Sequence, residues 1–99
     1  MHRVRKWLIR ITSSTSFIKE VKKFHINEQQ LVEQAITAIA TSPSAGRAKI
    51  DDLTGIYVYK FRAVGRTLLI AYAFLSEEWI QLIKVGSHEN FYRDLKRGK

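Results

Sequence analysis

The chain has 99 residues, 17 Lys and Arg against 9 Asp and Glu, a net charge of +8 and no cysteine. A chain of this length makes one domain able to bury a core, so a single domain is expected over residues 1–99. The missing cysteines exclude a disulfide framework and a thiolate metal site. The longest apolar run, Leu68 to Leu75, is far short of the roughly 18 residues that span a bilayer, so no membrane partner is expected. Arg3, Arg5, Lys6 and Arg10 break up the first apolar residues. No signal-peptide core forms there, and a cytoplasmic protein is the expectation.

Taken in order, residues 4–11 alternate, with Trp7, Ile9 and Ile11 on one side, which predicts a half-buried strand. Thr12-Ser13-Ser14 supplies helix caps, and Phe17, Ile18, Val21 and Phe24 then recur at helical spacing. Asn27 with Gln30 makes a capping-box pattern, and Ile26 with Leu31 a hydrophobic staple. The helix they open runs with Leu31, Val32, Ala35, Ile36 and Ile39 inward and stops at the loop Thr41 to Gly46. Two amphipathic helices with a short connection predict an antiparallel hairpin lying on a sheet.

The second half is rich in strands. Residues 56–63 alternate, with Tyr57, Tyr59 and Phe61 against Val58, Lys60 and Arg62, and Val64-Gly65 makes a tight turn. Thr67 to Phe74 is almost wholly apolar, which predicts a central strand covered on both faces. Leu75 to Glu78 turns the chain, and Trp79 to Val85 forms the last strand. Ser87 is the expected N-cap of a final helix, with Glu89 in its first turn and Arg93, Lys96 and Arg97 near its end. His88, Phe91, Tyr92 and Leu95 share one face of that helix. The fold class is therefore α+β, ordered β-α-α-β-β-β-α. Its sheet is mostly antiparallel, the helical hairpin covers one face, and the short C-terminal helix packs at an edge or end.

The charge distribution points to a polyanion. The first acidic residue is Glu20, and between Leu53 and Ser76 stand Lys60, Arg62 and Arg66 without a carboxylate. Such a field suits nucleic acid, or an acidic protein. Lys60 and Arg62, two apart in a strand, project from one face. If Val64-Gly65 is a two-residue loop, Arg62 faces Thr67 and Arg66 points the other way; a longer loop brings Arg66 round to join them. A phosphate clamp and a solvated strand face are both compatible with this spacing. His88 suits proton transfer, since an imidazole ordinarily titrates near pH 6.5. On spacing alone it also reads as a partly buried histidine beside Phe91 and Leu95. Tyr92 reads either as a core aromatic with a wet hydroxyl or as a ring that stacks on a base. His2, His25 and His88 are scattered, and no metal-ligand spacing occurs, so neither a metal nor another cofactor is expected.

The element order, the run Leu53-Thr54-Gly55 through Tyr59-Lys60-Phe61-Arg62-Ala63-Val64-Gly65-Arg66, and the ending Val85-Gly86-Ser87-His88-Glu89-Asn90-Phe91-Tyr92 together resemble the RelE/ParE superfamily of bacterial type II toxins. The resemblance covers essentially the whole chain. It implies a toxin neutralised by a cognate antitoxin. RelE-like members cut mRNA without metal, usually on the ribosome, by attack of a 2′-OH on the adjacent phosphodiester. ParE-like members share the fold but inhibit DNA gyrase. The RelE-like reading makes this chain an mRNA interferase, an endoribonuclease that inhibits translation. His88 matches a catalytic histidine two residues after the strand-end glycine, Lys60 and Arg62 match basic positions of the nuclease groove, and Tyr92 matches an aromatic that orients RNA. Arg66 is included among the catalytic cations, and Lys49 and Lys84 join Tyr92 as expected substrate-binding residues. Many RelE-like members have arginine two residues after the hairpin glycine; this chain has Thr67 there and Arg66 one earlier. A plain RNA-binding module is the third class, distinguished by harmless expression.

Overall fold

A computed structural model describes residues 9–48 and 54–97. The expected strand positions 4–8, the cations Arg3, Arg5 and Lys6, and Lys49 lie outside the described residues, as do the side chains of Glu89, Lys96 and Arg97. The elements are β1 (Arg10–Ser13), α1 (Thr15–Lys22), α2 (Ile26–Thr41), β2 (Arg47–Ala48), β3 (Tyr57–Ala63), β4 (Arg66–Ser76), β5 (Trp79–Ser87) and α3 (His88–Arg97), with a 3-10 turn at Pro43–Ala45. They build a five-stranded sheet in the order β1-β5-β4-β3-β2. β1 runs parallel to β5 and the other pairs are antiparallel. Among the described residues no helix is long and apolar enough to cross a membrane.

Ser14 explains the first corner. Its extended backbone ends the strand, and its Oγ accepts the Phe17 N–H at 3.0 Å while donating to the Ile83 carbonyl at 2.7 Å. One hydroxyl therefore caps α1 and ties it to β5. The second helix starts earlier than the sequence pattern predicts. His25 is its N-cap, with Nδ1 accepting the Asn27 N–H at 3.3 Å. Asn27 thus lies inside the helix, and Ile26 is 59% exposed, so neither the capping box nor the staple forms. Gln29 closes the hairpin instead: its Nε2 donates to the Phe24 carbonyl and to that of Val21, which also accepts the Phe24 N–H at 3.0 Å.

The core has two halves separated by the sheet. On one face Phe17, Val32, Ala35 and Ile39 of the helical hairpin pack on Ala63, Leu68, Ile70, Tyr72, Ile80, Leu82 and Val85. Ile18, expected inward, is 45% exposed. On the other face Phe91 and Leu95 pack on Ile56, Val58, Leu69 and Ala71. β4 supplies alternate residues to both halves, as its near-continuous apolar run predicts. α3 therefore covers the second face of the sheet and does not sit at an edge or end, because Phe91 and Leu95 need an apolar surface and the hairpin already covers the other face of β4.

Two local devices set the register. Val64-Gly65 is a two-residue turn, with Ala63 opposite Arg66 and Gly65 at φ +73°, a conformation that favours glycine. In β5 the ladder shifts between Ala71↔Lys84 and Tyr72↔Leu82. Alternation from Leu82 puts Ile83 on the α3 side, and the bulge then brings Val85, rather than Lys84, into the hairpin-side core. Gly86 then lies under Phe91, whose Cδ1 would sit 3.8 Å from an added Cβ.

Candidate nucleic-acid interface

The β3 alternation decides which cations meet. Tyr57, Tyr59 and Phe61 pack toward the hairpin, and Val58 packs toward α3. Lys60 and Arg62 share the face of Val58, and both are exposed. Arg62 stands opposite Thr67, and its Nη1 donates to Thr67 Oγ1 at 3.0 Å. Lys60 stands opposite Leu69, which pairs onward with Gly86. Ser87 pairs with Leu68, so His88 leaves the sheet level with Thr67 and the Arg62 row.

The final helix grades its shared face by burial. Phe91 and Leu95 are buried, Tyr92 is half-buried, and His88 is exposed. Phe91 meets Tyr92 edge-on at 5.2 Å between ring centroids, and Tyr92 meets His88 edge-on at 5.9 Å. His88 is thus held through Tyr92 to a buried anchor, with its imidazole in water rather than in the core. Tyr92, Lys60, Tyr59, Val58, Arg47 and Ala45 line one cleft of about 290 Å³. Among the described residues no group of His, Asp or Glu converges in a metal-binding arrangement.

Arg66 and Lys84 do not join this cluster. The two-residue turn puts Arg66 on the hairpin face with Leu68, Ile70 and Tyr72. There its guanidinium makes a forked pair with the buried Glu28, at 3.0 and 3.2 Å, and covers the Phe24 ring at 5.5 Å. Lys84 pairs with Glu20, whose other oxygen accepts the Val85 N–H at 3.1 Å. β1 ends at Ser13↔Leu82, so Glu20 satisfies an edge amide of β5 that no strand reaches. Both cations are neutralised where they stand.

Arg47 is the lining residue that the sequence reading passed over. Its strand is only two residues long and pairs Arg47 with Val58, which gives Arg47 the face of Lys60. The backbone before it is fixed by Tyr72: its hydroxyl accepts the Gly46 N–H at 2.9 Å and donates to the Pro43 carbonyl at 2.6 Å. Burial raises the pKa of that phenol, against the opposing pull of the Gly46 N–H. A Cβ at Gly46 would meet Tyr72 Oη at 2.5 Å, so this close approach requires glycine. No local pattern in the sequence announces β2, because its pairing and its anchor are both distant in the chain.

No curated protein matches the chain significantly in sequence. Among solved structures, the free E. coli toxin RelE carrying two arginine substitutions superposes with TM-score 0.69 at 18% identity, covering 91% of this chain and 97% of that one. The RelBE2 toxin–antitoxin complex of Mycobacterium tuberculosis gives 0.67 at 16% identity, covering 81% and 98%. The intact E. coli RelBE complex gives 0.65 at 17%, covering 82% and 98%. These are likenesses of fold. A family model describing the ParE-like toxin of type II bacterial toxin–antitoxin systems matches residues 11–96. Nearly the whole described chain falls within that match, and the chain belongs to this ParE-like toxin family of the RelE/ParE superfamily.

Proposed function

We propose that this toxin is an mRNA endonuclease that acts in the cytoplasm on translating ribosomes and is held inactive by a cognate antitoxin. The observation that carries this reading is the sharing of one sheet face by Lys60, Arg62, Tyr92 and His88. Among the described residues neither Lys60 nor Arg62 pairs with a carboxylate. The 2′-oxygen of the substrate attacks the adjacent phosphorus, the bond to the 5′-oxygen breaks, and a 2′,3′-cyclic phosphate and a 5′-hydroxyl result. Lys60 and Arg62 hold the charge that develops on the phosphorane. His88 transfers a proton, as base toward the 2′-OH or as acid toward the leaving oxygen. Tyr92 stacks on a base and fixes the strand for in-line attack. One positioned acid or base contributes about 10²–10⁴ in rate, so alignment of the RNA by the ribosome supplies much of the rest. The antitoxin partner is proposed by likeness to the RelB-bound neighbours. Mapping mRNA 5′ ends after induction tests the reading: cleavage that depends on His88 supports it, and intact mRNA under a toxic dose sinks it.

The ParE-like family match favours one alternative, a non-nuclease toxin that inhibits DNA gyrase. The engagement of Arg66 and Lys84 by carboxylates, which leaves fewer cations at the cleft, points the same way. Expression would then induce DNA-damage signalling and leave translated mRNA uncut.

A further inference from the structure

We infer that the cleft between β2 and α3 is a second nucleotide subsite beside the scissile phosphate, with Arg47 as its phosphate-binding side chain and Tyr92 as its stacking surface. The inference rests on the nuclease reading of Lys60 and Arg62 and extends it along the RNA strand. Three observations combine. Arg47 is opposite Val58, so Arg47, Lys60 and Arg62 project from the same face of the sheet. Val58, Lys60 and Arg62 are each two residues apart on β3, which spaces the three cationic rows by roughly 6–7 Å along the strand direction. A line of fixed charges at regular intervals fits a chain of phosphates better than a single anion. The cleft at the Arg47 end is lined by Ala45, Val58, Tyr59 and the half-buried Tyr92 as well as the two cations. A base can lie against the Tyr92 ring there while its phosphate meets the Arg47 fork.

The backbone under Arg47 is unusually well fixed for a loop exit. Gly46 on one side is pinned to the Tyr72 hydroxyl, and the Val58 pairing holds the other. Such rigidity has a use if the guanidinium must present a fork in one place, because a pre-positioned donor loses less freedom on binding. Among the described residues no carboxylate pairs with Arg47. This is the opposite of Arg66 and Lys84, each held by a glutamate.

The test uses the full-length chain carrying His88→Ala, and a trinucleotide with 2′-O-methyl groups, which cannot be cleaved because its nucleophile is blocked. In an NMR titration, the Arg47 side-chain Nε–Hε signal and the Tyr92 ring signals should shift with one common affinity. Arg47→Ala should weaken binding roughly tenfold and lower the slope of log affinity against log salt by about one. Arg47→Lys should restore the slope but only part of the affinity, since lysine keeps the charge and loses the fork. Shifts confined to Lys19 and Lys22 of α1, or an unchanged affinity and slope in Arg47→Ala, would overturn the subsite. Cleavage kinetics on ribosomes separate this from the nuclease reading. With His88 intact, Arg47→Ala should raise KM several-fold with kcat nearly kept; an unchanged KM beside His88-dependent cleavage rejects the subsite alone. Cleavage indifferent to His88→Ala rejects the nuclease assignment, while the trinucleotide titration still reads the cleft.

Discussion

Arg66 donates two hydrogen bonds to the buried Glu28, Nε to Oε2 at 3.0 Å and Nη2 to Oε1 at 3.2 Å. The most conspicuous arginine of the β3–β4 turn is therefore a brace between the sheet and the start of α2. Removing it leaves a carboxylate at 11% exposure without its partner. Arg66 is itself 44% exposed, so the cost falls below that of a fully buried pair, at about 1–3 kcal/mol. Arg66→Ala should lower the unfolding free energy by that amount, read as a lower urea midpoint, and Glu28→Gln should relieve much of the loss in the double variant. Once corrected for folded fraction, cleavage by Arg66→Ala should stay near wild type. A loss of rate in fully folded protein would return Arg66 to the site.

Lys84 carries the matching prediction. Its partner Glu20 also holds the Val85 amide at the β5 edge. Lys84→Met keeps the aliphatic stem and should leave the affinity for a short RNA unchanged while costing about 1 kcal/mol, since the pair is 14% and 23% exposed but Glu20 keeps the Val85 amide. Glu20→Ala should cost more, about 1–3 kcal/mol, because it strips both the cation and the edge N–H of their acceptor. Urea denaturation of the two variants orders the effects, and the reverse order would mean that Glu20 is not the keystone of this edge.

The sequence made the period-dependent features legible and hid the ones set by distant contacts. Apolar spacing identified the helical hairpin, the two-sided β4 and the alternation that separates Lys60 and Arg62 from the tyrosines of β3. It left two positions for Arg66, and the two-residue turn at Gly65 chose between them. The bulge opposite Tyr72 gave no local sign, yet it decides that Val85 rather than Lys84 enters the core. The start of α2 lies earlier than the Asn27 pattern predicts because His25 caps it through a ring nitrogen. Arg47 stayed hidden since a two-residue strand has no periodicity to read. Its position follows from Val58 and Tyr72, and neither is its neighbour in sequence.

Tyr72 offers a handle on that position through pH. Burial raises its pKa above the ordinary value near 10. In the unfolded chain the phenol ionises first as pH rises past about 10, while the folded protein keeps its proton. The unfolded state then binds fewer protons, so stability falls with rising pH across that window and is fully present below it. Thermal melts between pH 9 and 11 (roughly spanning the tyrosine range) should show this decline, and Tyr72→Phe should flatten it. The same variant should lose about 1–3 kcal/mol at neutral pH, because the Gly46 N–H and Pro43 carbonyl lose their shared partner. A melt profile as steep in Tyr72→Phe as in the parent would assign the alkaline loss to other groups.

Phe91 and His88 separate the scaffold from the proposed chemistry within one helix. Phe91 is 2% exposed beneath Tyr92, and His88 is exposed. Phe91→Ala should cost about 3–5 kcal/mol and release α3 from Leu69 and Ala71, so that activity and stability fall together. His88→Ala removes no buried contact and should leave the melting temperature within a degree or two, a shift of well under 1 kcal/mol. Its single-turnover cleavage should nevertheless drop by about 10²–10⁴. Tyr92→Phe keeps a stacking ring and should retain most of the rate, whereas Tyr92→Ala should lose it through weaker substrate positioning. If His88→Ala cleaves at the parent rate in a folded protein, the proton-transfer role belongs to another group. Equal loss in Tyr92→Phe and Tyr92→Ala would instead locate the contribution in the phenol oxygen.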